Sequence, residues 1–347
     1  MSLRKSKRIG ILTAGGDCPG LNAAIRGVGK TAMVQYGMEV IGFSDGFTGL
    51  IEKDYRVLRE KELSGILTMG GTILGTSREK PYKRSDNGLV DIDKPGLIKK
   101  HYEQLELDCL VILGGNGTMK TAAKLAESGL NVVGLPKTID NDVWGTDVTF
   151  GFQSAVNIAT DAIDRLHSTA NSHKRIMVIE LMGHDAGWIT LHAGVAAGGD
   201  IILIPEIDYN ETIIARTIEN RARKGKPYSI VVVAEGIRKK NEKRSAASYI
   251  SRMINKATGL ETRETILGYI QRGGSPSPFD RVLATQYGSY AAQLIAEEHF
   301  GNMVAMKGSD LVPVPLSEVG GRLKLVEPDN QLVRKARALG TSFGDDF

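Results

Sequence analysis

The amino-acid sequence predicts an α/β protein with mainly parallel sheets, on three observations. Short apolar runs recur along the chain, each run ends in a glycine-rich or acidic turn, and amphipathic stretches separate the runs. Continuous apolar strands that alternate with helices are typical of a parallel sheet covered on both faces. The chain has 347 residues, of which 41% are apolar and 24% charged, so it can form two globular domains.

Five apolar runs predict strands, at residues 9–13, 39–43, 109–113, 175–181 and 229–234. A sixth and shorter run, residues 132–135, predicts a further buried strand. Apolar residues at helical spacing predict helices over 21–32 and 152–166. Residues 82–93 are polar and rich in glycine and aspartate, and they predict a surface excursion.

Bulk composition excludes several classes of function. A net charge of +4 is too mild for a nucleic-acid binder, and it weakly favours anionic small-molecule substrates. The two cysteines, Cys18 and Cys109, form no disulfide framework, which indicates a reducing compartment. No apolar leader is visible and no apolar run approaches the roughly 18 residues of a membrane span, so we predict a cytoplasmic protein without a membrane partner.

The acidic segment 136–142 is the most informative part of the chain. It follows the predicted strand 132–135, and ligands of open α/β sheets bind at the carboxyl ends of strands. Asp140 and Asp142, with Thr138 and Lys137 beside them, indicate a metal ion, proton transfer from a hydroxyl, or both. An Asx-rich structural turn is the alternative, although such a turn has no use for the lysine.

Two glycine turns, residues 15–20 and 114–118, each join a predicted strand to a predicted helix. Free N–H groups and the helix dipole make such positions attract phosphate. Two familiar nucleotide motifs are absent, because a P-loop ending at 29–31 would need glycine where Ala24 stands, and a dinucleotide fingerprint would need glycine where Asp17 stands. Four arginines beside glycine turns or strand ends are candidate phosphate anchors or ordinary surface residues: Arg78, Arg175, Arg263 and Arg272.

Six motifs in this order resemble the phosphofructokinase family along nearly the whole chain: residues 15–22, 114–118, 136–142, 182–184, 235–236 and 267–274. The resemblance implies two Rossmann-like lobes with mainly parallel sheets and an active site in the cleft between them. It implies a donor-binding lobe of residues 1–150 plus about 271–320. A sugar-phosphate-binding lobe would comprise residues 151–270 plus about 321–347.

The resemblance also implies a reaction, the transfer of a phosphoryl group to the 1-hydroxyl of fructose 6-phosphate in glycolysis. Asp140 would be the general base, Thr138 would contact the substrate, and Asp142 would order the site and help to hold Mg²⁺. Arg263 and Arg272 would bind the 6-phosphate, with Arg175 supplied by the neighbouring subunit of a homodimer or homotetramer. The other sugar-binding residues would be Met182, Gly183, His184, Glu235 and Tyr269. The residues facing the donor would be Gly16, Arg78, Gly115, Asn116, Gly117, Thr118 and Lys137.

Three positions depart from the family pattern. Asn116 stands where an acidic metal ligand is common. Its amide oxygen can still coordinate Mg²⁺ but brings no charge, and the contact with the ion would be either direct or through water. His184 replaces an arginine, and it would make the rate sensitive to pH if it contacts the phosphate. Tyr269 replaces a histidine.

Two residues bear on the phosphoryl donor. Lys137 is shared with relatives that use pyrophosphate, whereas those relatives usually have aspartate in place of Gly117, where it fills the space of the α-phosphate of a nucleotide. We predict ATP because Gly117 leaves that space open, with a reversible pyrophosphate-dependent enzyme as the alternative. A non-catalytic sugar-phosphate or nucleotide sensor is a further alternative, and it would not need the base Asp140. A dehydrogenase is disfavoured by Asp17.

Overall fold

The computed structural model describes residues 6–82, 93–237 and 242–346. Residues 83–92, which make up most of the predicted surface excursion, lie outside this range. In the described residues the predicted mixture of helices with mainly parallel strands is confirmed.

The strands, in chain order, are β1 (Arg8–Thr13), β2 (Glu39–Phe43), β3 (Tyr55–Val57), β4 (Cys109–Gly114), β5 (Val132–Thr138), β6 (Phe150–Gly151), β7 (Ile176–Leu181), β8 (Ile201–Leu203), β9 (Ser229–Ala234), β10 (Thr262–Ile266), β11 (Asn302–Lys307) and β12 (Asp310–Pro315). The five strands predicted from the apolar runs correspond to β1, β2, β4, β7 and β9. Continuous apolar runs are typical of strands that are buried on both faces of a parallel sheet.

The helices are α1 (Leu21–Tyr36), α2 (Phe47–Glu52), α3 (Lys94–Gln104), α4 (Asn116–Glu127), α5 (Phe152–His173), α6 (Trp188–Ala196), α7 (Glu211–Arg223), α8 (Ala246–Thr258), α9 (Pro278–Ala296), α10 (Leu316–Val319) and α11 (Gln331–Ala338). Short 3₁₀ turns of the described residues lie at Ile66–Thr68, Glu235–Ile237 and Gly268–Arg272. The two predicted helices correspond to α1 and α5, each extended beyond the predicted end.

The chain folds into two compact units that interleave in sequence. Unit 1 comprises Met1–Thr138, Val143–Gly151 and Arg272–Leu323, and unit 2 comprises Ile139–Asp142, Phe152–Gln271 and Lys324–Phe347. The short segment that carries Asp140 and Asp142 therefore belongs to unit 2, although the residues on both sides of it belong to unit 1.

In unit 1 the strand order is β12-β11-β5-β4-β1-β2-β3, and β6 adds to the end of β5. Only the pairs β2–β3 and β11–β12 are antiparallel among the described strands of this sheet. Because β1, β4 and β5 are neighbouring parallel strands, the turns that follow them emerge at the same edge of the sheet. This edge is where the sequence predicted phosphate-binding turns.

Unit 2 has a four-stranded parallel sheet in the order β10-β7-β9-β8. Its central strands carry fully buried aliphatic side chains, such as Val178 and Val231, which pack against Ile250 and Ile254 of α8. Each such side chain contributes roughly 1.5–3 kcal/mol when fully buried. A rigid sheet therefore supports the turns that follow β7 and β9.

The predicted strand 132–135 is too short, because β5 continues through Thr138. Gly114 pairs with Pro136, Lys137 pairs with Phe150 and Thr138 pairs with Gly151, so partner strands on both sides hold this end extended. The acidic turn of the structure consists of residues 139–142 only.

Candidate active site

Three parts of unit 1 converge at the carboxyl ends of its strands, and we call them the glycine-turn cluster: residues 15–20, residues 114–118, and Lys137. Gly15 has a φ of +85°, a conformation that favours glycine. A Cβ atom placed on Gly15 would lie 3.6 Å from Lys137 Nζ and 3.7 Å from Thr118 Oγ1. The structure therefore brings together the two glycine turns and the lysine that the sequence predicted to face the donor.

Both helices of the cluster begin without a side-chain cap. Gly20 precedes α1 and Gly115 precedes α4, and neither residue has a side chain to accept a bond from the first-turn N–H groups. Uncapped helix N-termini carry partial positive charge and suit phosphate oxygens. Space is also open at the second turn, because a Cβ atom on Gly117 would meet nothing within 4 Å.

Lys137 is a buried cation, only 3% exposed, and its ammonium donates to the backbone carbonyl of Gly16. A buried ammonium is stable only when it is hydrogen-bonded or paired with an anion. The contact fixes Lys137 against the first glycine turn, as a residue that faces donor phosphates would need.

Arg272 and Arg78 both lie beside the first glycine turn. The Nη1 atom of Arg272 donates to the carbonyl of Asp17 at 3.0 Å, and a Cβ atom on Gly16 would lie 2.6 Å from the same nitrogen. Arg78 follows Ser77, whose carbonyl accepts from the N–H of Gly15 at 2.9 Å. The predicted role of Arg272 at the 6-phosphate does not follow from its contacts in unit 1, and it stays a prediction.

Asn116 uses both ends of its side-chain amide within unit 1. Its Nδ2 donates to the carbonyl of Arg322 at 2.8 Å, and its Oδ1 accepts from the N–H of Gly321 at 3.1 Å. These bonds tie the start of α4 to the turn after α10. They give Asn116 a structural role that its place in the motif did not indicate, and its predicted role as a Mg²⁺ ligand stays a prediction.

In unit 2 the turn 182–184 is bound to Glu235 at the end of β9. The Oε1 atom of Glu235 accepts from the N–H of Gly183 at 3.2 Å and from the N–H of His184 at 2.9 Å. The side chain of His184 is exposed, and its Nδ1 lies 3.1 Å from Asp185 Oδ2. The structure therefore brings Met182, Gly183, His184 and Glu235 together, and their predicted role in lining the sugar stays a prediction.

Gln271 supports the same turn and was missed by sequence reasoning. Its side chain is fully buried, and its Oε1 accepts from the N–H of Met182 at 2.8 Å. Its neighbour Tyr269, a predicted substrate contact, is 74% exposed. Gln271 could not be identified from the sequence, because its side chain is uncharged and its hydrogen-bond partner, Met182, is 89 positions away in the chain.

The acidic turn carries Asp140 and Asp142, both half-buried, on either side of Asn141. Asn141 is buried and adopts a φ of +54°, a left-handed conformation that asparagine tolerates better than most residues. Lys324 holds this turn from within unit 2, since its Nζ donates to Asn141 Oδ1 at 3.0 Å and its N–H donates to the carbonyl of Asp142 at 2.9 Å. Lys324 was also missed by the sequence analysis.

Arg175 and Arg263 both lie at the amino end of the unit 2 sheet, and their predicted roles at the 6-phosphate stay predictions. Arg175 immediately precedes β7, and Arg263 pairs with Met177 near the start of that strand. Turn 182–184 follows the opposite end of β7, roughly 20 Å away for a strand of this length. Strand direction therefore keeps both arginines away from turn 182–184 of their own chain.

The described residues include neither a group of three His, Cys, Asp or Glu side chains placed to hold a metal ion nor a helix that is long and apolar enough to cross a membrane. Both cysteines are free and buried, and burial raises the pKa of Cys18 to about 12. The thiols are therefore poor candidates for nucleophiles.

The fold places the glycine-turn cluster at the carboxyl ends of parallel strands, the position at which many α/β proteins bind phosphate groups. A family model described as Phosphofructokinase matches residues 8–295. The chain belongs to the phosphofructokinase family.

Curated relatives are similar over nearly their whole length. An ATP-dependent 6-phosphofructokinase 3 of Bacteroides thetaiotaomicron is 62% identical, over 97% of this chain and 100% of the relative. An ATP-dependent 6-phosphofructokinase of Spirochaeta thermophila is 56% identical, over 98% of each.

Solved structures share the fold. The T-state phosphofructokinase of Pichia pastoris superposes with a TM-score of 0.83 and 31% identity over 92% of this chain, which spans 36% of the Pichia chain. The pyrophosphate-dependent phosphofructokinase of Nitrosospira multiformis gives a TM-score of 0.85 at 22% identity, over 98% of this chain and 93% of that one. At this identity the second likeness shows the fold alone.

Proposed function

We propose that this chain is an ATP-dependent 6-phosphofructokinase that converts fructose 6-phosphate into fructose 1,6-bisphosphate in glycolysis. The observation that carries the proposal is the position of Lys137 and Thr138. They end β5 beside both glycine turns, and the acidic turn with Asp140 follows directly along the chain. The curated relatives with 62% and 56% identity carry the same activity in their names.

Asp140 would act as the general base in this reaction. It accepts the proton of the 1-hydroxyl while that oxygen forms a bond to the γ-phosphorus, and the bond from that phosphorus to the bridging oxygen breaks. General-base catalysis contributes about 10²–10⁴-fold to the rate. Unit 1 would bind ATP through the glycine-turn cluster, and unit 2 would bind the sugar phosphate through turn 182–184 and Glu235.

Gly117 supports ATP as the donor. The structure leaves open space around the position of its missing Cβ atom, so the packing of the protein itself does not require glycine there. An α-phosphate would fit this space beside the uncapped start of α4. Lys137 is the observation that favours pyrophosphate, but its ammonium already contacts Gly16 and would serve either donor.

Mg²⁺ would be held by Asp142, with phosphate oxygens of the nucleotide as further ligands. Carboxylate and amide oxygens are the ligands that Mg²⁺ prefers, and such sites commonly use one or two carboxylates plus substrate phosphates. When bound, the ion would neutralise charge on the transferring phosphoryl group. Asn116 Oδ1 already accepts one bond from Gly321, which favours contact with the ion through water.

Arg175 would complete the sugar-phosphate site of a second copy of the chain. It lies at the amino end of β7, roughly a full strand length from turn 182–184 of its own chain, and Arg263 lies beside it. We therefore propose a homodimer or homotetramer in the cytoplasm, where glycolysis supplies the substrate.

Initial rates with fructose 6-phosphate and Mg²⁺ test the proposal, with ATP and pyrophosphate compared as sole donors. We expect turnover with ATP and none with pyrophosphate. Turnover with pyrophosphate alone would mean that Lys137 decides the donor. Binding of both ligands without turnover would identify a sensor and would contradict the proposal.

A further inference from the structure

Lys324 makes two hydrogen bonds to the acidic turn, one from its side chain and one from its backbone. The ammonium reaches Asn141 Oδ1 at 3.0 Å, and the backbone N–H reaches the carbonyl of Asp142 at 2.9 Å. Residues 324 and 141 are 183 positions apart in the chain, yet both belong to unit 2. Lys324 is half-buried, so its bonds are partly protected from competing water.

The geometry of Asn141 explains why such an anchor matters. Its φ of +54° places it in the left-handed region, which costs a non-glycine residue roughly 1 kcal/mol or more. A residue in this region persists when its surroundings fix it. Asp140 and Asp142 flank Asn141, so a change in its backbone would re-aim both carboxylates.

Lys324 is also held by a residue outside the acidic turn, Trp188. The Trp188 Nε1–H donates to the carbonyl of Lys324 at 2.8 Å, and the Lys324 ammonium lies 5.6 Å from the centre of the Trp188 ring. Two residues later, the N–H of Val326 donates to Glu206 Oε1 at 2.9 Å, and the same carboxylate accepts from the N–H of Gly187. Residues 324–326 therefore connect the acidic turn to the start of α6.

We propose that Lys324 is a positioning residue for phosphoryl transfer, which holds Asp140 and Asp142 in their working orientation by fixing Asn141 between them. This inference rests on the proposed function, since it concerns the orientation of the proposed base. An ordinary surface lysine would make neither the bond to a buried asparagine nor the contact with Trp188.

The test compares Lys324→Met with Lys324→Arg and with Lys335→Met, an exposed lysine of α11 in the same unit that serves as the control. We expect Lys324→Met to lower kcat by about 10- to 100-fold, since misplacement of a reacting group by 1 Å can cost that much. The KM for ATP should stay within about twofold, because the hydrogen bonds of Lys324 described above go to residues of unit 2, whereas the glycine-turn cluster belongs to unit 1. Arginine should restore part of kcat, because it can still donate to Asn141.

A spectroscopic measurement separates positioning from general destabilisation. The chain has two tryptophans, so a Trp144→Phe background leaves Trp188 as the sole indole. Lys324→Met should change the emission of Trp188, while circular dichroism and the melting temperature remain close to those of the parent. If Lys324→Met does not fold, Asn141→Gly provides the same test, because glycine keeps the backbone conformation and removes the amide.

The double variant Lys324→Met/Asn141→Gly should lose no more kcat than the worse single variant, because both changes break the same bond. Additive losses would contradict the inference, as would a kcat for Lys324→Met equal to that of Lys335→Met. The variant Asp140→Asn distinguishes the two proposals. If Asp140→Asn retains turnover, Asp140 is not the base and the proposed function is contradicted. If Asp140→Asn loses turnover while Lys324→Met keeps it, only the role of Lys324 is overturned.

Discussion

Glu261 Oε2 lies 2.8 Å from Arg175 Nε at the amino end of the unit 2 sheet, and the same carboxylate contacts Arg263. The hydrogen bond from Arg175 holds the pKa of Glu261 below its usual range, so the carboxylate stays charged. Two guanidinium groups thus share one anion, at the place where we propose that they bind a sugar phosphate.

The first prediction concerns this shared anion. Glu261→Gln should lower the KM for fructose 6-phosphate by up to about fivefold, because exposed ion pairs of this kind are weak and the loss of the carboxylate frees both arginines. The KM is measured at saturating ATP, with Glu264→Gln, an exposed carboxylate of β10, the strand that Glu261 precedes, as the control. A raised KM would mean instead that Glu261 organises the arginines for binding.

The second prediction tests the base. Asp140→Asn should lower kcat by about 10²–10⁴-fold, because the amide cannot accept the hydroxyl proton. The KM for fructose 6-phosphate should change by less than about threefold, since the loss falls on the transition state. Rates are compared with those of Asp208→Asn, an exposed aspartate of unit 2. A near-normal kcat for Asp140→Asn would mean that Asp140 is not the general base.

The third prediction tests whether Arg175 acts on a second copy of the chain. Arg175→Ala and Asp140→Asn should each be nearly inactive alone, but co-expression should restore partial activity, because mixed oligomers contain sites with both native residues. Two variants of the same acidic turn, Asp140→Asn and Asp142→Asn, are the control and should not complement each other. Failure of the first pair to complement would place Arg175 outside the neighbouring site.

The fourth prediction tests the donor pocket. Gly117→Asp should lower kcat/KM for ATP by at least about tenfold, because a carboxylate would repel the phosphates that α4 attracts. Gly117→Ala adds only a methyl group in open space, so it should keep the fold and stabilise α4 by up to about 1 kcal/mol. Initial rates and melting temperatures of the two variants separate charge from size. Equal activity of both variants with ATP would show that nucleotide does not occupy this space.

The fifth prediction concerns stability and pH. Burial lowers the pKa of His192, and the nearby Lys324 lowers it further. The unfolded chain protonates this histidine near pH 6.5, whereas the folded protein resists protonation, so the unfolded state binds more protons below that pH. The free energy of unfolding should therefore fall as pH drops from about 7 to about 5, and His192→Asn should make this fall shallower in urea titrations. Parallel curves for parent and variant would contradict the prediction.

The sequence predicted those features that local patterns determine. Apolar runs predict strands such as β1 and β9 because burial on both faces requires continuous apolar residues. The family resemblance implied that Glu235 and residues 182–184 line one sugar, and the structure places them at the carboxyl ends of the neighbouring strands β9 and β7.

Features that depend on distant contacts could not be predicted from the sequence. Strand β5 ends at Thr138 and not at the predicted residue 135, because β6 pairs with its last residues. Strand β6 is too short to form a pattern that the sequence analysis could detect. Lys324 and Gln271 act through bonds to residues far away in the chain. Arg263 lies at the same end of the sheet as Arg175 because β10 pairs with β7, and no local pattern in the sequence indicates this pairing.

The interleaving of the two units has a consequence for how the protein is made. Strand β11, which joins the edge of β5, is synthesised after all four strands of unit 2. On the ribosome, the part of β5 that β11 joins, at Val133 and Gly134, therefore keeps an unpaired edge while more than a hundred later residues emerge, and such edges promote aggregation. A stop codon between β10 and β11 would leave that edge permanently open, so we expect such C-terminally truncated products to be insoluble and to depend on chaperones.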